Sequence, residues 1–321
     1  MDEAKAAIDS CSVKKILQEN DIFGSDGEVS IWDFSRANIS QESRVDAVQR
    51  VASVCFQSDA KVGTSALYDK LMRESLGLPS SSFEFVPVLL NEKDRELINI
   101  KYMDNVINEN EKFIQTPHIE KFGTTIVRNG KVYRLTNLRA LLYDISLINS
   151  EKSDEKIDVS NSFFNQDEEE ISIIKKNFYV FHMKIDIVTA RQLMRHRASW
   201  QELSRRYVSS KKVPFEVYLT EDMKNPDIRV NISNNDCNGI SISASNLVKL
   251  SLRMYDTAIK AGIKPQDARR IIPQGALTQV WSAWFKPQFD NMVKLRSAPK
   301  AQWEIRTLAR SMNGLVKLAL R

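Results

Sequence analysis

Arg191-Gln192-Leu193-Met194-Arg195-His196-Arg197-Ala198-Ser199-Trp200-Gln201-Glu202-Leu203-Ser204-Arg205-Arg206-Tyr207 packs five arginines, a histidine, a glutamate and two serines into one short run. Just before it stands Asn177-Phe178-Tyr179-Val180-Phe181-His182-Met183-Lys184, aromatic and β-branched enough to predict a buried strand. The order is strand, then a helix with Gln192 and Arg195 three apart on one face, then a polar loop. So much positive charge in one place is costly unless something anionic offsets it. A phosphate-bearing ligand suits it, because the planar guanidinium fork meets phosphate oxygens in pairs. Charge alone leaves two plainer readings open, a solvated basic face and a nucleic-acid contact patch.

On the N-terminal side, residues 1–40 read as an extension with no visible chemistry. From Gln41 a helical period carries Val45, Val48, Ala52 and Cys55 on one face, and Leu67, Leu71 and Leu76 predict a second helix ended by Gly77 and Pro79. Residues 41–85 are taken as the first part of a catalytic domain, 86–176 as an insertion, and 177–321 as the main part. Within the insertion, residues 91–111 are charged and helical in pattern. Thr125 to Arg134 predicts a hairpin, because Asn129-Gly130 supplies the positive φ that a tight turn requires. Leu138, Leu141, Leu142 and Ile145 make a helical stripe, and the acidic, Ser/Asn-rich residues 151–170 predict an exposed loop or mobile segment.

On the C-terminal side, residues 209–238 predict loop with one strand at most. Leu247, Leu250, Met254 and Ala258 mark an amphipathic helix stopped by Gly262. Pro265 and Pro287 can each open a helix. The last helix places Ile305, Leu308, Met312, Leu315 and Leu318 on one face, as a core or oligomer surface. No internal repeat of fixed period is visible.

With 321 residues, 42% of them hydrophobic and 27% charged, the composition is that of an ordinary globular chain with a real core. No apolar run reaches the length needed to cross a bilayer, and the N-terminus lacks the pattern of a secretory signal. Cys11, Cys55 and Cys237 are scattered. They suit a reducing cytoplasm and offer neither a disulfide framework nor a metal site. A net charge of +5 permits anionic ligands without itself arguing for nucleic acid.

Several motifs, in order, resemble those of the flavin-dependent thymidylate synthases. Arg195-His196-Arg197 followed by Ser204, Arg206 and Tyr207 resembles that family's signature. Ala52-Ser53-Val54-Cys55-Phe56-Gln57-Ser58 looks like its first helix. Gly77-Leu78-Pro79-Ser80-Ser81-Ser82-Phe83-Glu84-Phe85 looks like a degraded form of its Gly-His-any-any-Ser-Pro-Phe-Glu-His segment. Ala268-Arg269-Arg270-Ile271-Ile272-Pro273, then Asn291, Leu295, Arg296 and Ala301-Gln302-Trp303-Glu304-Ile305, continue the likeness. The chain thus reads as a divergent long member carrying an insertion. The resemblance implies an α/β fold with a mainly antiparallel sheet flanked by helices, the thymidylate synthase-complementing fold. It also implies a homotetramer whose sites are shared between subunits.

For function, the resemblance implies reductive C5-methylation of deoxyuridine monophosphate (dUMP) to dTMP, with flavin adenine dinucleotide (FAD) as cofactor and NADPH and methylenetetrahydrofolate as co-substrates. It makes Arg296 catalytic, its guanidinium stabilising a uracil ring ionised at N3. Gln192, Arg195, Glu202, Leu203, Ser204, Arg205 and Arg206 would bind the nucleotide, with Arg269 reaching it from another subunit. Arg195, His196, Arg197 and Glu202 would meet FAD, with Asn291 from a neighbouring chain. Plainer roles stand beside these: Arg296 as a partner of a helix C-terminus, Ser204 as a cap, His196 as a hydrogen-bonded core histidine. Two other functions stay open, a related pyrimidine-nucleotide hydroxymethylase or methylase of changed substrate, and a flavin-free nucleotide- or RNA-binding relative. Gln192 and Glu202 argue against the last.

The sequence also departs from the family pattern. Six residues separate Arg197 from Ser204, one fewer than the resemblance leads one to expect. Phe85 replaces a histidine, and the family's Asn-any-Arg falls on Phe285-Lys286-Pro287, which removes flavin contacts. The insertion carries Thr136-Asn137-Leu138-Arg139-Ala140-Leu141, which reads like the missing Asn-any-Arg-any-Leu. That likeness leads to the expectation that Asn137 and Arg139 supply the lost contacts.

Overall fold

The computed structural model describes residues 13–16, 28–57, 65–72, 79–106, 116–150, 157, 163–164, 166–234 and 237–321. The described strands are β1 (Val13–Ile16), β2 (Glu28–Trp32), β3 (Pro87–Leu90), β4 (Gly123–Arg128), β5 (Lys131–Asn137), β6 (Phe178–Asp186), β7 (Ser199–Glu202), β8 (Arg229–Asn234), β9 (Cys237–Ser243) and β10 (Leu277–Phe285). The described helices are α1 (Gln41–Phe56), α2 (Ser65–Met72), α3 (Glu92–Val106), α4 (His118–Lys121), α5 (Leu138–Ser150), α6 (Glu168–Asn177), α7 (Ile187–Leu193), α8 (Glu221–Lys224), α9 (Ala244–Lys260), α10 (Pro265–Ala268), α11 (Lys286–Arg296) and α12 (Trp303–Ala319). A 3-10 turn covers Ser81–Phe85.

The main sheet has the order β1-β2-β6-β10-β7, and every ladder in it is antiparallel. The predicted class, a mainly antiparallel sheet flanked by helices, is what the chain adopts. Strand alternation gives β6 and β10 two apolar faces. Tyr179, Phe181, Met183, Val280 and Trp284 pack on one side with Phe289, Met292, Ile305, Leu308 and Met312 of α11 and α12. Phe178, Val180, Trp281, Ala283 and Phe285 pack on the other, against α1, α5, α6 and the small sheet β3-β5-β4. Residues 86–176 therefore share one of the two cores of the fold with α1, β6 and β10.

Several expectations are changed by tertiary pairing. Part of the supposed extension, Glu28–Trp32, is a strand hydrogen-bonded to β6. Ser199–Glu202, expected as polar loop, is an edge strand on β10. Glu168–Asn177 is helical, because Asp167 and Glu170 form a reciprocal capping box and three acidic residues sit in the first turn, where the helix dipole favours them. The remainder of the predicted acidic loop lies mostly outside the described residues, as do Leu76 and Gly77. Arg229–Asn234 and Cys237–Ser243 are two strands paired antiparallel rather than a single strand.

Other readings carry over. The β4–β5 turn places Asn129 at φ 51° and Gly130 at φ 75°, both positive as a tight hairpin demands. Leu138, Leu141, Leu142 and Ile145 are buried. The stripe on α9 is helical but unburied: Leu247, Leu250 and Met254 are each about half exposed, and Tyr255 is the buried residue of that helix. Among the described residues, no helix is long and apolar enough to cross a membrane.

Candidate active site

The central pair β6–β10 fixes the site because both strands run directly into helices. Asp186 ends β6 and caps α7, its Oδ1 accepting the Thr189 N–H at 3.0 Å. The helix closes at Leu193, so Arg191 and Gln192 lie in its last turn. Arg195 falls beyond it, in a turn where the His196 N–H reaches the Leu193 carbonyl at 3.1 Å. Gln192 and Arg195 therefore do not share a helical face as expected. The chain next extends into β7, held on β10 by the pairs Ser199–Ala283 through Glu202–Val280.

Arg296 stands in the last turn of α11 and is fixed by two bonds. Its Nε donates to His196 Nε2 at 2.8 Å, and its Nη2 donates to the Gln192 carbonyl at 3.1 Å. The Gln192 side chain in turn donates to Gln302 Oε1 at 2.7 Å. Burial, and then the Arg296 charge, hold the His196 pKa below its ordinary 6.5, so the imidazole is neutral at pH 7 and can accept on Nε2. The sign of the pH dependence follows. Between the ordinary value and the depressed one, the unfolded chain binds more protons than the folded one, so stability falls as pH drops through that window. Urea unfolding at several pH values is expected to show wild type losing more stability on acidification than His196→Gln; equal losses would contradict the assignment.

A cavity of about 560 Å³ lies at the C-terminal end of β7. Glu202, Leu203, Ser204 and Arg205 line it from the strand and the turn that follows, Arg191 from α7, and Arg269, Arg270 and Gln274 from the segment leading into β10. Arg191 Nη1 donates to Gln274 Oε1 at 3.0 Å. Arg205 Nη1 donates to the Val213 carbonyl at 2.6 Å, and its guanidinium lies 4.3 Å from the Phe215 ring centre. The Ser204 N–H donates to the Cys55 carbonyl at 3.3 Å, tying this turn to α1. Four guanidiniums face one carboxylate, a donor set suited to a phosphate dianion. Burial raises the Glu202 pKa, opposed by its bond with Thr278 and the charge of Arg191. That carboxyl holds a proton more readily than a solvated one.

A second cavity, of about 650 Å³, opens at the other end of β7 and is lined there by Arg197, Ala198, Ser199, Phe285 and Gln288. Its opposite wall, which carries Lys121, Asn137 and Arg139, comes from residues 84–143. At ~3.4 Å per residue, Ser199 and Glu202 put the two cavities roughly 10 Å apart. Three cations against one carboxylate, with Phe122, Tyr143 and Phe285 nearby, fit a ligand that joins phosphates to a flat ring.

The structure thus gathers Glu202, Leu203, Ser204, Arg205 and Arg269 in one cavity of a single chain, and joins Gln192, His196 and Arg296 in one hydrogen-bonded cluster. Gln192, Arg195, His196, Arg206, Asn291 and Arg296 line neither cavity. Arg206 is exposed, with its guanidinium 5.2 Å from the Tyr207 ring centre, and Asn291 is exposed on α11. Sequence reasoning missed Gln274, Thr278, His118 and Lys121, which reach the site from distant segments and carry no local pattern, and it quoted Gln302 only as part of a motif, without its bond to Gln192. Among the described residues, no group of three His, Cys, Asp or Glu side chains is placed to hold a metal ion.

The family described as thymidylate synthase complementing protein matches residues 135–320, more than half of the chain. The chain belongs to this family. The matched region holds the end of β5, α5 and the whole stretch from β6 to α12, and so both walls of the first cavity. Among curated relatives, the flavin-dependent thymidylate synthase of Aquifex aeolicus is 31% identical over 146 residues, which cover 44% of this chain and 45% of that protein. That of Pseudothermotoga lettingae is 35% identical over 133 residues, 41% of this chain and 58% of that protein. That of Thermococcus onnurineus is 30% identical over 131 residues, 40% and 49%. The chain spans about half the length of these relatives. A solved structure described as a UMP/dUMP methylase PolB from Streptomyces cacaoi bound with 5-Br dUMP aligns with a TM-score of 0.34 and 20% identity, covering 48% of this chain and 77% of that one.

Within this chain, the arginine-histidine-arginine run spans two environments. His196 turns inward to Arg296, while Arg197 faces the second cavity.

Proposed function

We propose that this chain is a methyltransferase that replaces the C5 hydrogen of dUMP by a methyl group, with methylenetetrahydrofolate as carbon donor, FAD as cofactor and NADPH as reductant. The observation that carries this reading is the convergence of Arg191, Glu202, Ser204, Arg205 and Arg269, from three separate segments, on one cavity of nucleotide size. The names of the relatives, flavin-dependent thymidylate synthases, support the same chemistry.

Arg205, Arg269 and the Ser204 hydroxyl bind the phosphate in this reading, with Arg206 nearby. Gln192, Arg195, Glu202 and Leu203 orient the base and sugar. Arg296 stabilises the uracil ring as negative charge moves into it, which makes C5 nucleophilic without attack by a cysteine. A reduced flavin, when bound, supplies the hydride. Arg197, with Arg195, His196 and Glu202, would hold that cofactor, and Asn291 would meet it from a neighbouring chain. The carbon atom adds at C5 and the C5 proton leaves. Homotetrameric assembly completes the proposal, and the half-exposed stripe Leu247, Leu250 and Met254 on α9 supports self-association.

Calorimetric titration with dUMP tests the nucleotide assignment. Arg269→Ala removes charge-assisted bonds worth about 1.5–3 kcal/mol, so Kd is expected to rise by about ten- to a hundredfold. The steepness of its salt dependence should fall as well. An unchanged Kd would remove Arg269 from the phosphate site.

A further inference from the structure

Two strand-to-helix junctions meet across the second cavity. β10 ends at Phe285 and passes directly into α11, while β5 ends at Asn137 and passes directly into α5. Phe285 and Asn137 are thus matching positions, each the last strand residue before a helix, and both line the same cavity. Where the first junction continues Lys286-Pro287, with no guanidinium, the second continues Leu138-Arg139. Asn137 is buried, and its Oδ1 caps α5 by accepting the Ala140 N–H at 2.9 Å. Arg139 is held at its root, with Nε donating to the Pro79 carbonyl at 3.0 Å and Nη1 paired to Glu84. Its side chain remains partly exposed to the cavity.

The neighbouring wall is also built rather than incidental. Asp144, fully buried, accepts the backbone N–H groups of His118 and Ile119 and pairs with His118 Nδ1 at 2.9 Å. His118 lies between Tyr143 and Phe122, ring centres 4.0 and 5.9 Å away. This fixes α4, which carries Lys121 to the cavity rim.

We propose that Arg139 and Asn137 form a composite anion-binding wall opposite Arg197, and that this wall holds the phosphate-bearing part of the flavin cofactor. The inference rests on the flavin-dependent reading above, and adds that residues 84–143 supply a wall of the cofactor site from the same chain as Arg197. Glu84 tunes it: its carboxylate restrains Arg139 and also offsets part of the positive charge offered to the ligand.

The test is binding of FAD, read by quenching of flavin fluorescence and by calorimetry, with circular dichroism to establish that each variant is folded. Arg139→Gln is expected to weaken FAD binding about ten- to a hundredfold, and Arg139→Lys to restore part of it. Binding of dUMP, in the other cavity, supplies a separate readout and should change little. Glu84→Gln breaks the same ion pair but removes a negative charge, and is expected to tighten FAD binding. Full FAD affinity in Arg139→Gln would overturn the proposal. So would equal weakening in Arg139→Gln and Glu84→Gln, which would make the pair a structural brace only. If wild type itself fails to bind FAD, the flavin-dependent reading fails first and this inference falls with it.

Discussion

Replacing Arg296 with lysine is expected to lower turnover by about a hundred- to a thousandfold, equivalent to about 2.7–4 kcal/mol of transition-state stabilisation. The size follows from the geometry. The guanidinium spends one donor on His196 Nε2 and one on the Gln192 carbonyl. Arginine has five donors in a rigid fork, so three remain for a ligand while the first two hold the group still. A lysine ammonium has three donors on a flexible stem and cannot hold both bonds and face a uracil oxygen in one fixed orientation. Charge is conserved, so nucleotide affinity should change much less than turnover. Single-turnover kinetics at saturating dUMP, beside a binding titration, separates the two. Unimpaired turnover in Arg296→Lys would mean that the group only closes the end of α11.

Trp284→Ala is expected to destabilise the fold by about 3–5 kcal/mol, a large part of the roughly 5–15 kcal/mol that holds a typical domain together. Trp284 is fully buried on β10, among the apolar side chains that join β6 to α11 and α12. Its ring packs edge-on to Trp200 at 5.1 Å and to Phe289 at 6.2 Å, and its Nε1 donates to the buried Ser282 hydroxyl at 2.8 Å. Truncation leaves a cavity and strips that hydroxyl of its donor. Because Trp200 belongs to β7, the strand between the two cavities also loses its support. Urea denaturation should show a marked fall in midpoint. Val127→Ala, at a side chain 71% exposed on β4, should stay within about 0.5 kcal/mol of wild type. Similar effects from the two substitutions would contradict the packing account.

Local patterns exposed much of this fold before any coordinates. The aromatic run at Phe178, the Asn129-Gly130 turn and the stripe Leu138, Leu141, Leu142 and Ile145 each obey a short-range rule, and each forms the expected element. Elements made by distant pairing were harder to see. Glu28–Trp32 is a strand because β6, about 150 residues away, offers it an edge. Ser199–Glu202 is polar and reads as loop, yet β10 supplies its hydrogen bonds. Arg195 left the helix because α7 ends at Leu193, a boundary of the kind that periodicity fixes least well.

The site divides in the same way. Glu202, Leu203, Ser204 and Arg205 are adjacent in sequence and were read together; Arg269 joined them through a family motif. His118, Lys121 and Thr278 had no pattern of their own, since each matters only because the sheet and α4 carry it to a cavity wall. The α9 stripe was legible as a helix face, but its exposure was not, because periodicity alone does not say what covers an apolar face.

The central claim is that the nucleotide cavity and the flavin cavity serve one reaction at uracil C5. The most direct measurement is release of tritium from dUMP labelled at C5, with FAD, NADPH and methylenetetrahydrofolate present, combined with mass analysis of the nucleotide product. The account predicts tritium release that requires all three additions, and a product heavier by one CH2 group. Release without a methylated product, or no release from protein that has bound both FAD and dUMP, would contradict it.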